Sequence, residues 1–426
     1  MKTILLTLQF VATTSIVFAD PQIASWFTVN SAKFAQIYRT DAEKLSGRTE
    51  TTWSNGRNAQ SQPAFCGVQE ILSSSNWVYI RSTGLGSQVM GPWQNGRFPN
   101  LPTDQHFIFA IPRHPTVQTG NRFNRLGEIG MFVDGVRMFD AGDAWSYSNQ
   151  SGRDIGPGPG GDQIWNRDAF VNESRTFDAA FAHQQNWGTY HYHAEPIALR
   201  YLLGDHVDFD AATKTYRESK SVPTTHSPIV GWMQDGYPLY GPYGYSNPTN
   251  PASGVRRMIT GFVLRNGENG TDNLAQTGRK TWPAWAAREA HISERLNANE
   301  YGPNVNAWCP MGYYIEDYAY LGDLGKTSGQ DFDLDELNGR WCVTPEFPNG
   351  TYAYFTTIDA SGRPVYPYNM GRRYHGYPVG RLVRSIGEPV TTNFVNQADA
   401  SLTANVPSAQ TTILKWNNGN GGYESK

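Results

Sequence analysis

The four residues Tyr190-His191-Tyr192-His193 are the part of this chain best equipped for chemistry. Two histidines at i and i+2 of a strand project to one face, roughly 6.5 to 7 Å apart along the backbone. Neutral imidazoles at that spacing can converge on one ion, and zinc, copper, iron and nickel all accept them. Two ligands leave zinc short, because its sites use three or four protein groups. His226, in Thr224-Thr225-His226-Ser227-Pro228-Ile229, is the favoured third ligand, since it stands at the mouth of a strand that turns at Asp235-Gly236. Each of these has a plain structural use as well: the pair as hydrogen-bonded strand histidines, His226 as a polar strand cap. His183 is a weaker candidate because Ala182-His183-Gln184-Gln185 reads as a polar stretch, and His206 reads as an exposed turn. His106, His114, His291 and His375 read as surface or packing residues.

Two acidic features sit near these motifs. Asp235 could orient a ligating imidazole, although its simpler role is the first residue of a hairpin turn. Asp331, Asp333, Asp335 and Glu336 alternate as calcium ligands do, but the sixth position of an EF-hand loop needs Gly and here holds Glu336. A solvated turn is the better reading.

The elements that must position these side chains are short strands. Trp77-Val78-Tyr79-Ile80, Phe107-Ile108-Phe109, Met131-Phe132-Val133 and Tyr352-Ala353-Tyr354-Phe355 are each bounded by Gly, Pro, Asn or Asp. One helix is expected from Pro283, with Trp285, Ile292 and Leu296 on one face and Arg288 and Glu289 interrupting the stripe. The Gly156–Gly161 run lacks the Lys-Ser/Thr of a phosphate cradle. A weak internal repeat is more informative. The ten residues from Gly130 to Phe139 run in frame with Gly231 to Tyr240, and Ser361 to Tyr366 is a fainter copy. All three read as hairpins turning at a polar residue followed by Gly. Gly188-Thr189-Tyr190-His191-Tyr192-His193 precedes the second copy, and Gly350-Thr351-Tyr352-Ala353-Tyr354-Phe355 precedes the third. If those frames match, the tyrosines are what the fold needs, while His191 and His193 stand where the other frame has Ala353 and Phe355. Packing alone then does not explain the histidines.

Composition narrows the class. The 426 residues carry 35 Lys plus Arg against 38 Asp plus Glu, a net charge of −3 without long blocks of one sign. That gives no reason to expect nucleic acid or an anionic membrane as partner. Charged residues are only 17% while aromatics reach 13%, which suits strands and tight turns. The expected fold is mainly β: a large sandwich or barrel-like domain of short strands and hairpins with few helices. Residues 1–19 read as a secretory signal peptide, with an apolar run from Ile4 to Phe18, Ala19 at the cleavage position and Asp20-Pro21 after it. No other stretch approaches the length of a membrane span. Residues 20–385 would form the β domain, with two subdomains meeting near 250–300 as an option, and 386–426 an extension of unknown role. In an oxidising compartment Cys309 and Cys342 are expected to pair and Cys66 to remain a thiol. Asn149, Asn172, Asn269 and Asn349 open glycosylation sequons.

The chain resembles the YHYH-domain family. The likeness rests on Tyr190-His191-Tyr192-His193, on His226 to Trp232, and on Asp235 to Gly244. It continues through Leu334 to Arg340 and Thr344 to Phe347, and back to Trp77 to Ile80 and Gly91-Pro92-Trp93. The resemblance implies a secreted protein and marks the same histidines, but implies no reaction. Members often carry Cys where this chain has Leu337, so no disulfide pattern transfers. The expected function is an extracellular metal-binding protein, with copper serving oxidation or zinc serving hydrolysis. The alternative is a binding or matrix module that holds a carbohydrate or another small molecule on exposed Tyr and Trp.

Overall fold

Alternation of apolar residues builds the first sheet. In Val68–Ser73 (β1), Trp77–Ser82 (β2) and Phe107–Pro112 (β3), Ile71, Val78, Ile80, Phe107, Phe109 and Ile111 face the main core. Leu72, Tyr79, Ile108 and Ala110 face the other way into a small separate cluster, as a period of two requires. The computed structural model describes residues 20–403 apart from 56–57, 94–99, 120–125, 157–160 and 291–292, together with the backbone of 414–417 and 422–425. The expected signal peptide and most of the tail beyond 403 therefore lie outside the described residues. No described helix is long and apolar enough to cross a membrane.

The chain then enters a larger sheet at Glu128–Phe132 (β4) and Arg137–Phe139 (β5), a hairpin turning at Asp134-Gly135. It leaves to form a three-stranded sheet from Gly142–Ser148 (β6), Arg153–Ile155 (β7) and Asn166–Asp168 (β8), followed by the short helix Ala169–Glu173 (α1). It returns as Ala182–Gln184 (β9) and Tyr190–Tyr192 (β10), then as the hairpin Ile229–Met233 (β11) and Pro238–Tyr240 (β12). Gly339–Cys342 (β13) and Thr351–Phe355 (β14) complete this sheet in the order β9-β10-β5-β4-β11-β12-β14-β13. Arg381–Val383 (β15) and Thr391–Val395 (β16) return to the first sheet, whose order is β15-β3-β2-β1-β16. The two sheets share one apolar cluster, so the fold is mainly β with a sandwich-like core.

The eight-stranded sheet is built twice over. Its central seam is β4 against β11, antiparallel, with Met131 opposite Trp232. Outward from the seam each half has an antiparallel hairpin partner (β5 or β12), a parallel strand (β10 or β14) and an antiparallel edge strand (β9 or β13). Tyr192 pairs with Met138 as Tyr354 pairs with Leu239, which keeps the frames aligned. Both hairpin glycines have positive φ, +83° at Gly135 and +85° at Gly236. An added Cβ would strike Ser82 Oγ or the Pro112 carbonyl, so both positions require glycine. The repeat therefore pairs each Gly-Thr-Tyr strand with the hairpin before it, not the one after. The third copy turns around Gly362, with Ile358 bridged to Pro364, outside the sheet.

Other expectations are corrected. The helix expected from Pro283 is Ala284–Ala290, shorter than the span to Leu296; Arg288 turns outward to Asp323 and Glu336, and Ile292 lies outside the described residues. Cys309 and Cys342 do not form a disulfide: both, with Cys66, are free and buried. Cys342 lies in the main cluster, whereas Cys309 lies in a second one beside Arg279, so proximity in sequence did not become contact. That second cluster draws on residues from Ala141 to Tyr368. Residues 391–396, assigned to the extension, close the first sheet and bond Asn396 to Ser31 and Gln69. Two sequons, at Asn269 and Asn349, are exposed.

Candidate metal centre

The histidine face of β10 is completed across the hairpin. In the antiparallel register of β9 and β10, His183 lies directly opposite His191. His193 follows β10 on the same face as His191. The three Nε2 atoms converge: His191 Nε2 is 3.1 Å from that of His183 and 3.2 Å from that of His193. All three residues are buried, at 2–4% exposure. Among the described residues these three form the group able to hold a metal ion. Phe139 stacks on His191 at 4.1 Å, and Phe177 meets the edge of His183 at 4.8 Å, so the rings have little freedom to turn.

The outer nitrogens settle which tautomer each ring adopts. His191 Nδ1 donates to the Thr189 carbonyl at 3.0 Å, and His193 Nδ1 donates to the Asp140 carbonyl at 2.6 Å. A carbonyl can only accept, so both protons sit on Nδ1. His183 Nδ1 is 2.7 Å from Thr176 Oγ1, whose own proton goes to the Glu173 carbonyl. Thr176 therefore accepts from His183 as well. Three Nε2 lone pairs face one another, an arrangement that a shared cation relieves.

A carboxylate joins them. Glu173, the last residue of α1, places Oε2 3.4 Å from His183 Nε2 and 3.3 Å from His193 Nε2. Its side chain is 21% exposed, more than that of either histidine it faces. Burial holds His183 and His191 well below the ordinary imidazole value, and the neighbouring imidazoles add to the effect. Burial lowers His193 too, but the hydrogen bond and charge of Glu173, with the Asp140 carbonyl, raise it on balance. Behind Glu173, burial pushes the Asp143 carboxyl up to about 7 despite Arg167 at 2.7 Å, and the charge of Glu173 adds to the rise.

The structure brings His191 and His193 together and places His226 elsewhere. His226 lies in the other half of the sheet, packed on Tyr240, Tyr245 and Phe355, with its Nδ1 on the Ser227 carbonyl at 2.7 Å. Its place beside the other two is taken by His183. Asp235 is the hairpin residue and is clamped by Tyr354 Oη and Gly376 N at 2.7 and 2.9 Å. In the acidic segment Asp333 pairs with Arg256, Asp335 accepts from Tyr352, and Glu336 pairs with Arg288. His206 bonds the Ser221 carbonyl, His375 stacks on Tyr352, His106 pairs with Asp104, and His114 meets the Ser75 carbonyl. His291 lies outside the described residues. Sequence reasoning missed Glu173 altogether. Only the hairpin pairing of 183 with 191, set by the loop before Thr189, could have raised His183 above its rivals.

Residues 108–365, more than half of the chain, match a family model described as YHYH protein. No curated protein and no solved structure matches.

Proposed function

The chain belongs to the YHYH protein family, and on that premise and the convergence of its histidines we propose that it is an extracellular metal-binding protein. His183, His191 and His193 would hold the ion through Nε2, with Glu173 as the fourth group. The observation that carries this is that four of the six donor separations are 3.1, 3.2, 3.3 and 3.4 Å, with the three imidazole donors all within 4.8 Å of one another. Bonds of about 2.0–2.1 Å to a tetrahedral ion put neighbouring donors about 3.3–3.4 Å apart. The separations suit zinc, and copper is the second fit to imidazole donors. Copper would supply redox chemistry, and zinc would polarise a bound water. Secretion follows from the apolar run Ile4 to Phe18 ending at Ala19.

Elemental analysis of untagged protein tests the reading directly. One equivalent of zinc or copper per chain, lost when the histidines are replaced, is the expected result. Protein that refuses both metals would overturn it. A second reading, a binding module for carbohydrate, draws on the exposure of Trp187, Trp308 and Trp341 at 70%, 91% and 60%. They belong to separate segments, so the metal reading stands ahead.

A further inference from the structure

Resting on the metal reading above, we infer that Glu173 is a displaceable ligand, and that its position is where a small anionic oxygen or nitrogen donor binds the ion. The four groups around the centre are held very unequally. Each imidazole is fixed at its far nitrogen, by the Thr189 carbonyl, the Asp140 carbonyl or Thr176. His183 and His191 stand on paired strands, and Phe139 and Phe177 pack their rings. Glu173 stands at the end of a five-residue helix, and among the described residues the polar groups beside its carboxylate are the Nε2 atoms of His183 and His193, with no donor pinning it in place.

Solvent reaches the same corner. The side chains of His183 and His193 are 3% and 5% exposed, against 21% for Glu173. A group entering from outside meets the carboxylate before it meets any imidazole. An entering anion that replaces the carboxylate leaves the total charge on the ion unchanged. Its cost is therefore mainly the turning of one partly exposed side chain. The three-histidine base remains intact, which is the arrangement of ligands that keeps one position for an exchanging partner.

Cobalt(II) substitution makes the exchange visible. Wild type, Glu173→Ala and Glu173→Gln are loaded with cobalt, and the visible spectrum is followed while azide is added. All three should bind one equivalent, because the histidines suffice. Glu173→Ala should bind the metal roughly 10–100-fold more weakly, on the scale of a lost supporting contact. It should also take up azide at least tenfold more tightly than wild type, with Glu173→Gln between them. Equal azide affinities in the three proteins would overturn the inference while leaving the metal centre standing. Loss of stoichiometric cobalt from a folded Glu173→Ala protein would overturn it too, by making the carboxylate indispensable. Wild type that binds no cobalt, zinc or copper would instead refute the metal reading itself. Near-ultraviolet circular dichroism of each variant reports folding, so a metal defect in a folded protein is told apart from a failure to fold.

Discussion

The two halves of the eight-stranded sheet share strand order, pairing sense and hairpin chemistry, yet they differ at one cluster. In the first half the parallel strand and its edge partner present His183, His191 and His193. The register places Arg340, Ala353 and Phe355 at the corresponding positions of the second half. There Arg340 donates to the Tyr245 carbonyl at 2.7 Å, and its guanidinium lies over the Phe355 ring at 5.4 Å. His226 packs on that same ring. One framework thus carries converging nitrogen donors on one side and an aromatic pocket with a buried cation on the other. The tyrosines recur in both halves because they tie each parallel strand to aspartates: Tyr190 to Asp178, Tyr352 to Asp335, Tyr354 to Asp235. What recurs is structural. What differs is the candidate for function.

The sharpest way to break this comparison is to make the first half resemble the second. Replacing His191 and His193 together by Ala removes two of three pinned donors. Metal affinity should fall by far more than the roughly 10–100-fold that a supporting hydrogen bond is worth. Calorimetry with zinc and copper measures it, and a variant that keeps its metal would end the distinction between the halves. In wild type, affinity should also decline as pH falls, because protons compete for imidazole. His193, whose value is raised, takes up its proton first, and His183 and His191 follow at lower pH.

His226 supplies the converse test. Burial lowers its imidazole from the ordinary 6.5 to about 4. The folded value lies below the unfolded one, so the neutral ring stabilises the fold fully above pH 6.5. That contribution is lost as pH falls from 6.5 towards 4, and is worth about 3 kcal/mol in all. Urea midpoints for wild type should drop across this window, and the drop should be smaller by that amount in His226→Leu. Metal stoichiometry should not change in that variant. A loss of metal there would show that the second half reaches the centre after all.

These contrasts explain what could be read from sequence. The strand histidines were legible because period-two geometry depends only on neighbours along the chain. The frame shared by Tyr190-His191-Tyr192 and Tyr352-Ala353-Tyr354 marked them further, and the sheet bears out that alignment. The third member was not legible in this way. His183 is set by cross-strand register, and Glu173 by where a short helix ends, and neither leaves a periodic trace. His226 looked favourable because it opens the second hairpin, yet that hairpin builds the other half of the sheet. The cysteines failed for a related reason, since Cys309 and Cys342 belong to different clusters.

A milder change probes the support around one ligand. Thr176→Val removes the acceptor for His183 Nδ1 and the hydroxyl that holds the Glu173 carbonyl. The ring keeps its place on β9 but loses the bond that fixes its tautomer. Metal affinity should weaken about 10–100-fold with one equivalent still bound. An unchanged affinity would mean that the strand and the Phe177 ring are enough to orient His183.

The smallest expected effect tests whether the tyrosines do equal work in both halves. Tyr190→Phe and Tyr354→Phe each delete one hydroxyl that donates at 2.7 Å to a buried carboxylate. Neither carboxylate is left bare. Asp178 still accepts from the backbone N–H groups of Gly91, Ala180 and Ala182, and Asp235 from those of Gly376 and Tyr237. Each variant should therefore lose about 1 kcal/mol rather than the larger penalty of an orphaned buried charge. Tyr354→Phe should lose somewhat more, because it also leaves the His375 N–H without its acceptor, whereas Gln88 still donates to Tyr192 when Tyr190 is changed. Neither should alter metal affinity, since these rings project from the face opposite the histidines. Removing a donor also weakens the carboxylate, which burial has already pushed up to about 6 in both aspartates. The folded values lie above the unfolded 3.8, so protonation favours the folded state, and both variants should recover part of their deficit relative to wild type as pH falls from 7 to 5. Urea denaturation at pH 7 and pH 5 measures this. A metal defect in Tyr190→Phe without one in Tyr354→Phe would show that the tyrosine face of the first half also serves the centre, and the division between structural and functional faces would have to be redrawn.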